Sequence, residues 1–186
     1  MKRFFDILFA FSLVVIFLMP MILIGILIRL NSKGPSLYWS TRIGQNDKIF
    51  RMPKFRSMFV DTPSLATDLM KNPDLYVSNF GKFIRKYSID ELPQLFSILK
   101  GDMSFVGPRP ALYNQHDLIK MRQLKGINML LPGVTGWAQI NGRDEISIEI
   151  KVKLDEEYLT RKSFLFDLKI ILKTFKKVFK REGVVH

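Results

Sequence analysis

The segment SIDELPQLFSILKGDMSFVGPRP, residues 88–110, sets two acids, Asp90 and Glu91, side by side, with Arg85 and Lys86 just ahead of them and Arg109 behind them between two prolines. A carboxylate kept ionised among cations can attack phosphorus, and a second one can hold Mg²⁺, which prefers carboxylate together with substrate phosphate oxygens. Arginines clamp phosphate bidentately and offset the repulsion between an anionic nucleophile and an anionic substrate. A structural account competes. Ser88 with Glu91 three residues on fits a capping box, and acids near a helix start are favoured by the dipole. Pro93 leaves a later start, with Asp90 as N-cap, also open. Either way both carboxylates sit where partial positive charge collects, a place that also suits phosphate.

The rest of the chain narrows the chemistry. With 29 Lys+Arg against 17 Asp+Glu the formal charge is +12, so the natural partners are polyanions: nucleic acid, anionic lipid headgroups or phosphorylated substrates. There are no cysteines, which excludes disulfides, thiolate zinc sites and a cysteine nucleophile, and the two histidines, His116 and His186, are too few for a histidine-rich metal site. The sequence shows no internal repeat, no Walker A motif and no G-x-G-x-x-G. A chain of 186 residues is the size of one domain with attachments.

Residues 7–28 are almost wholly apolar, and as a helix they would extend for roughly 33 Å, enough to cross a bilayer core of about 30 Å. A cleaved signal peptide fits poorly, because the run is long for an h-region and no A-x-A-like site follows it. A spanning helix and a broken, re-entrant one that dips into a single leaflet both remain open: membrane helices tolerate a proline such as Pro20, and Lys2, Arg3, Arg29 and Lys33 flank the run on both sides. At the other end, Phe164, Leu168, Ile171, Phe175 and Val178 recur at helical spacing with lysines on the other faces, Ser163 is a candidate N-cap and Gly183 a candidate stop. Such a helix either packs on the core or lies in a lipid interface. Between the ends, LYWSTRIG and KIFRMPKFRSMF flank Gln45-Asn46-Asp47 and predict a hairpin, with Pro53 making the second strand an edge or ending it early. Residues 61–79 read as a loop or short helical turns, and LLPGVTGWAQINGR as loop and strand, with Gly133, Gly136 and Gly142 freeing the backbone to approach a ligand.

The motifs KFRSM, IRKYSIDELPQLFSILKGDMSFVGPRP and PGVTGWAQINGR, in that order behind a basic-apolar N-terminus, resemble those of the bacterial sugar transferases, the small monotopic phosphoglycosyl transferases. The match runs over nearly the whole chain. The resemblance implies a mixed α/β fold, helix-rich with short strands: residues 1–33 a re-entrant membrane helix, and residues 34–186 a compact catalytic domain on the cytosolic face of the bacterial inner membrane, with interfacial amphipathic helices. It implies transfer of a sugar 1-phosphate from a UDP-sugar to undecaprenyl phosphate, with release of UMP, as the first membrane step of capsule, O-antigen or other glycan synthesis. Asp90 corresponds to the family's nucleophile and Glu91 to its Mg²⁺ ligand. Lys54, Arg56, Arg85 and Arg143 correspond to its basic residues, and Arg109 and Gln139 also fall in its motifs. Where the family commonly has Ser-Pro at the helix break, this chain has Met19-Pro20, leaving Pro20 alone to make it. The stretches DTPSLATDLM, PRPALYNQ and EGVVH look most like enzymes that transfer N-acetylfucosamine 1-phosphate, and the donor class implied is an N-acetylated UDP-hexose.

Two rivals are a membrane-anchored basic module that binds anionic lipid or nucleic acid, and a glycosyltransferase that moves the sugar alone and releases UDP. The first gives no account of adjacent acids between basic motifs, and no nucleic-acid module with aromatics interleaved among Arg and Lys is present. The nucleotide released separates the second from phosphosugar transfer. The sequence assigns no oligomeric state.

Overall fold

The computed structural model describes residues 1–60, 62, 73–142 and 146–180. Among the described residues the fold is mixed and helix-rich, with four short strands. Helix α1 (Lys2–Asn31) keeps its helical pattern through Pro20 and, at 30 residues, is about 45 Å long. One of its faces is a core face: Asp6, Ala10, Met21 and Ile28 are buried, and Leu13, Val14, Phe17 and Ile24 pack beside them at the three-and-four spacing of a single helical stripe. The opposite face, including Phe4, Leu8, Phe11, Val15, Ile22, Ile26 and Leu30, is apolar and exposed.

The hairpin forms where the sequence places it. Strands β1 (Leu37–Ile43) and β2 (Ile49–Phe55) pair antiparallel, from Leu37 opposite Phe55 to Ile43 opposite Ile49. At the turn, Asn46 (φ 53°) and Asp47 (φ 60°) take the left-handed conformation that Asn and Asp tolerate. The sheet has two strands, so Pro53 does lie on an edge, but β2 continues past it to Phe55. Phe50, Met52 and Phe55 turn inward against α1, and α3 (Gln94–Lys100) adds Leu95 and Ile98 to the same core. Helix α2 (Asn79–Lys86) begins at Ser78, whose Oγ accepts the Gly81 amide at 2.9 Å.

A second, parallel pair, β3 (Ser104–Val106) and β4 (Gly133–Thr135), joins two segments of the chain that flank α4. The stretch after β4 departs from the loop-and-strand expectation, since Trp137–Ile140 forms a helical turn, α5. Two of the glycines there allow close backbone packing: a Cβ on Gly133 would lie 2.1 Å from the Gly107 nitrogen, and one on Gly136 would lie 2.1 Å from the Gly107 oxygen. Helices α4 (His116–Leu124), α6 (Ile148–Arg161) and α7 (Phe164–Lys180) complete the fold. Ser163 caps α7 as expected, its Oγ accepting from the Phe166 amide at 3.2 Å. Helix α7 packs through Phe166 and Ile170, while Phe164, Leu168 and Phe175 of the sequence stripe stay exposed together with Leu165 and Leu172. The Phe5 and Phe164 rings meet at 5.0 Å, so the outward apolar faces of α1 and α7 adjoin. Gly183 and the side chain of Val178 lie outside the described residues, as does nearly all of the 61–70 stretch; Pro73–Tyr76 forms one 3₁₀ turn.

Candidate active site

Asp90 and Glu91 occupy neither a capping box nor a helix N-cap. Ser88 takes a left-handed conformation (φ 55°) with no side-chain capping bond, Ile89–Glu91 make a separate 3₁₀ turn, and α3 starts only after Pro93. Pro93 has no N–H to give a continuous helix and is already preset for a helix start, so the chain turns at the acids and begins the helix behind them. This correction to the local reading leaves both acids on a tight turn whose far side is anchored in the core by Ile89 and Leu92.

Three other segments converge on that turn. Lys54, near the end of β2, sets its Nζ 2.7 Å from Glu91 Oε1, and Arg109, from the loop after β3, sets its Nη1 3.5 Å from the same oxygen. Arg85, in the last turn of α2, lies close enough to act on Asp90 electrostatically, as do Lys54 and Arg109. Burial pushes the Asp90 carboxyl above the usual carboxylate range; Lys54 pulls it back, the negative charge of Glu91 adds to the rise, and Arg85 and Arg109 oppose it. The result is a half-buried carboxyl within the field of three cations, with a second carboxylate alongside that is itself held by two of them.

The remaining residues singled out from the sequence fall elsewhere. Arg56 is buried, and its guanidinium is directed to the end of α1: Nη1 donates to the Lys33 carbonyl at 2.8 Å, and Nη2 to the Ser32 carbonyl at 2.8 Å and to Ser32 Oγ at 2.7 Å. Burial lowers its pKa, the direction for a cation withdrawn from water. Gln139, in α5, turns its amide nitrogen to the Val134 carbonyl at 3.5 Å, and its buried Oε1 has no hydrogen-bond partner among the described residues. Arg143 lies outside the described residues. Among the described residues no group of three or more His, Asp or Glu side chains gathers as a metal cage. The adjacent pair Asp90 and Glu91 is a hard-oxygen donor set of the small kind Mg²⁺ takes when phosphate and water complete its shell.

The sequence reading missed a polar latch at the start of α1. Lys2 Nζ reaches Asp167 and donates to the Val106 carbonyl at 3.1 Å, Tyr158 donates to Asp167 Oδ1 at 2.7 Å, and Asp6 accepts from Ser104 Oγ at 2.8 Å and from the Phe105 amide at 3.3 Å. Burial and Asp167 raise the Tyr158 pKa, so the phenol stays a donor. The one signal in the sequence was Asp6 itself, an acid at the lip of an apolar run, which must be paired if it is buried.

Comparison with known proteins finds relatives along nearly the whole chain. The family described as bacterial sugar transferase matches residues 1–181. The chain is 40% identical over 185 residues to the uncharacterized sugar transferase EpsL of Bacillus subtilis (strain 168), covering 99% of this chain and 90% of that protein. It is 39% identical over 200 residues to the galactosyl transferase CpsE of Streptococcus agalactiae serotype III (strain NEM316), covering 98% of this chain and 43% of that protein. It is also 39% identical over 190 residues to the UDP-glucose:undecaprenyl-phosphate glucose-1-phosphate transferase of Escherichia coli (strain K12), covering 96% of this chain and 40% of that protein. The chain thus spans less than half the length of those last two relatives but most of EpsL, and a match that includes the apolar helix, the acid pair and the basic segments around it shows that it belongs to the bacterial sugar transferase family.

Proposed function

We propose that the protein moves a sugar 1-phosphate from a UDP-hexose to undecaprenyl phosphate, with Asp90 as a covalent nucleophile. The observation that carries this reading is the Asp90-Glu91 turn, half-buried, on which cations from three other segments converge: Lys54 and Arg109 at Glu91, and both together with Arg85 acting on Asp90. A module that only binds lipid has no use for a partly buried acid pair set among cations, and a relative named as a UDP-glucose:undecaprenyl-phosphate glucose-1-phosphate transferase supports a sugar-nucleotide donor.

In the first displacement an Asp90 oxygen attacks the sugar-bearing phosphorus, a new P–O bond forms to the carboxylate, and the bond to UMP breaks, its electron pair leaving on the UMP phosphate. In the second, a phosphate oxygen of undecaprenyl phosphate attacks the same phosphorus and the bond to Asp90 breaks, restoring the carboxylate. Lys54, Arg85 and Arg109 favour the ionised nucleophile and offset the charge that collects on the transferred group. Glu91, together with phosphate oxygens of the donor, would hold Mg²⁺, which neutralises phosphate charge when bound. Arg143 is carried by its family motif alone, and Gln139 offers a buried acceptor in the motif before it. The stretches that suggest N-acetylfucosamine lie largely outside the described residues, so N-acetylated UDP-hexoses are the donors to try first, with UDP-glucose and UDP-galactose beside them.

The membrane arrangement we propose is monotopic, on the cytoplasmic face of the inner membrane, with α1 dipping into one leaflet. Its support is that one body holds both ends of α1: Lys2 at Asp167 and Val106, and Ser32 and Lys33 at Arg56. A spanning helix would carry one of those ends across about 30 Å of hydrocarbon, away from its partners. The exposed apolar faces of α1 and α7 and the lysines of α7 suit a leaflet with anionic headgroups.

The test is to mix the protein, Mg²⁺ and each UDP-sugar without acceptor, identify the nucleotide by chromatography, and weigh the intact protein. A phosphosugar adduct mapped to Asp90 with stoichiometric UMP is the expected result. Release of UDP would make it a simple glycosyltransferase, and rapid acceptor-dependent turnover by Asp90→Asn would remove the covalent step.

A further inference from the structure

The loop that carries Arg109 is held by its carbonyls. Pro108 and Pro110 supply no N–H, so at those positions the carbonyl is the sole backbone handle. Every carbonyl from Pro108 to Ala111 is taken: Pro108 by the Gly133 amide at 2.9 Å, Arg109 by Arg122 Nη1 at 2.8 Å, Pro110 by Arg42 Nη1 at 3.0 Å, and Ala111 by the Ile43 amide at 2.9 Å. Two of these four donors are arginine side chains from distant elements, α4 and β1. Each has another engagement that fixes its plane. Arg122 is buried and sends Nε and Nη2 to Asp155 Oδ2 at 3.0 and 2.6 Å, while Arg42 sends Nε to Ser40 Oγ at 2.9 Å.

We infer that Arg122, with Arg42 as a second brace, is a positioning residue for phosphosugar transfer: it fixes the Pro108-Arg109-Pro110 loop so that the Arg109 guanidinium faces the Asp90-Glu91 turn. The inference rests on the proposed reaction above. An arginine suits the task where a lysine would not, because a planar fork with five donors can hold a carboxylate on one edge and a carbonyl on another. Asp155 then has two effects. It orients the fork, and it neutralises a buried cation that would otherwise repel Arg109 or compete for the donor's phosphates. A buried ion pair is a weak source of net stability, so tying α4 to α6 alone would be served as well by apolar packing. The third bond, to Arg109, is what apolar packing could not supply.

The test uses the charge-free exchange Arg122→Met/Asp155→Leu, which leaves no buried charge unpaired, and Arg42→Met, each made in the unaltered chain and in Arg109→Ala. UMP release from the UDP-hexose turned over best by the unaltered protein is measured for kcat/KM. With Arg109 present, the exchange should cut kcat/KM about 10- to 100-fold, the scale of a misplaced catalytic group. In the Arg109→Ala background it should change kcat/KM by no more than about twofold, the scatter of independent sites. Equal losses in both backgrounds would mean that the pair serves the fold in general, and would overturn the inference; Arg42→Met carries the same cycle should the exchanged pair not fold. Hydrogen exchange reads the brace without turnover: faster exchange of the Gly133 and Ile43 amides, which donate to the Pro108 and Ala111 carbonyls, beyond any change in α4 and α6, supports it, and unchanged exchange sinks it. An unaltered protein that releases no UMP from any UDP-hexose would fail the proposed reaction instead, with the exchange arm still deciding whether the loop is braced.

Discussion

Asp90 is the residue whose position conflicts with its own ionisation. A carboxyl whose folded pKa is raised favours the protonated form, so relative to an uncharged isostere its contribution to stability is full below the unfolded value of about 3.9 and is lost as pH rises through the raised folded pKa. Asp90→Asn should therefore melt higher than the unaltered protein at pH 7 in EDTA without nucleotide, and the difference should close as the pH falls toward 3.5. A lower melting temperature for Asp90→Asn at pH 7 would mean that Lys54, Arg85 and Arg109 outweigh burial in the empty site. In the nucleophile's role proposed above, Asp90 would leave the site less stable than it could be, the usual relation between stability and activity. That acids and cations gather at one turn was legible from residue types and order, because Asp90 and Glu91 are adjacent and basic residues flank them in sequence. That Lys54 and Arg109 share one Glu91 oxygen was not, since the contact joins residues 37 and 18 positions away from it in sequence.

At the scale of elements, the end of β2 divides its two cations between separate tasks. Lys54 faces the acids, and two residues on, Arg56 holds the carbonyls of Ser32 and Lys33 just past the end of α1. Sequence motifs list both as basic and give no hint of the division, which depends on where the strand ends at Phe55 and the chain turns toward Ser32. Lys54→Met should abolish adduct formation while leaving the melting temperature nearly unchanged. Arg56→Ala should lower the melting temperature by several degrees, since it strands two carbonyls and a hydroxyl at a helix end, a loss of about 1–3 kcal/mol. An Arg56→Ala protein that melts normally but forms no adduct would return Arg56 to phosphate binding. The hairpin was readable because Asn46 and Asp47 tolerate positive φ. The split between the 3₁₀ turn and α3 was harder to read, because a capping pattern and a proline give opposed local instructions and tertiary anchoring of Ile89 and Leu92 decides between them.

For the whole molecule the question is which side of the membrane each end of α1 occupies. Composition makes residues 7–28 apolar and flanks them with cations, and that pattern fits one leaflet or two equally. The buried stripe from Asp6 to Ile28 is what separates the cases, and it could not be seen in a run where nearly every position is apolar. A helix with one face in a protein core and the other in lipid lies against its domain, so both ends should remain on the domain's side. The chain has no cysteine, so single reporters need no background removed. A cysteine inserted after Met1 leaves the Lys2–Asp167 latch in place, and Lys33→Cys keeps the carbonyl that Arg56 uses. In cells with a permeabilised outer membrane, both should resist an impermeant thiol reagent and both should react after the inner membrane is lysed. Labelling of the N-terminal cysteine before lysis would show that α1 spans, and the Lys2 latch would then have to open on insertion. Combining the insertion with Asp167→Asn tests that latch directly: if the latch holds the N-terminus on the cytoplasmic face against an equally apolar alternative, weakening it should let a fraction of the chains label from outside, while Lys33→Cys stays protected.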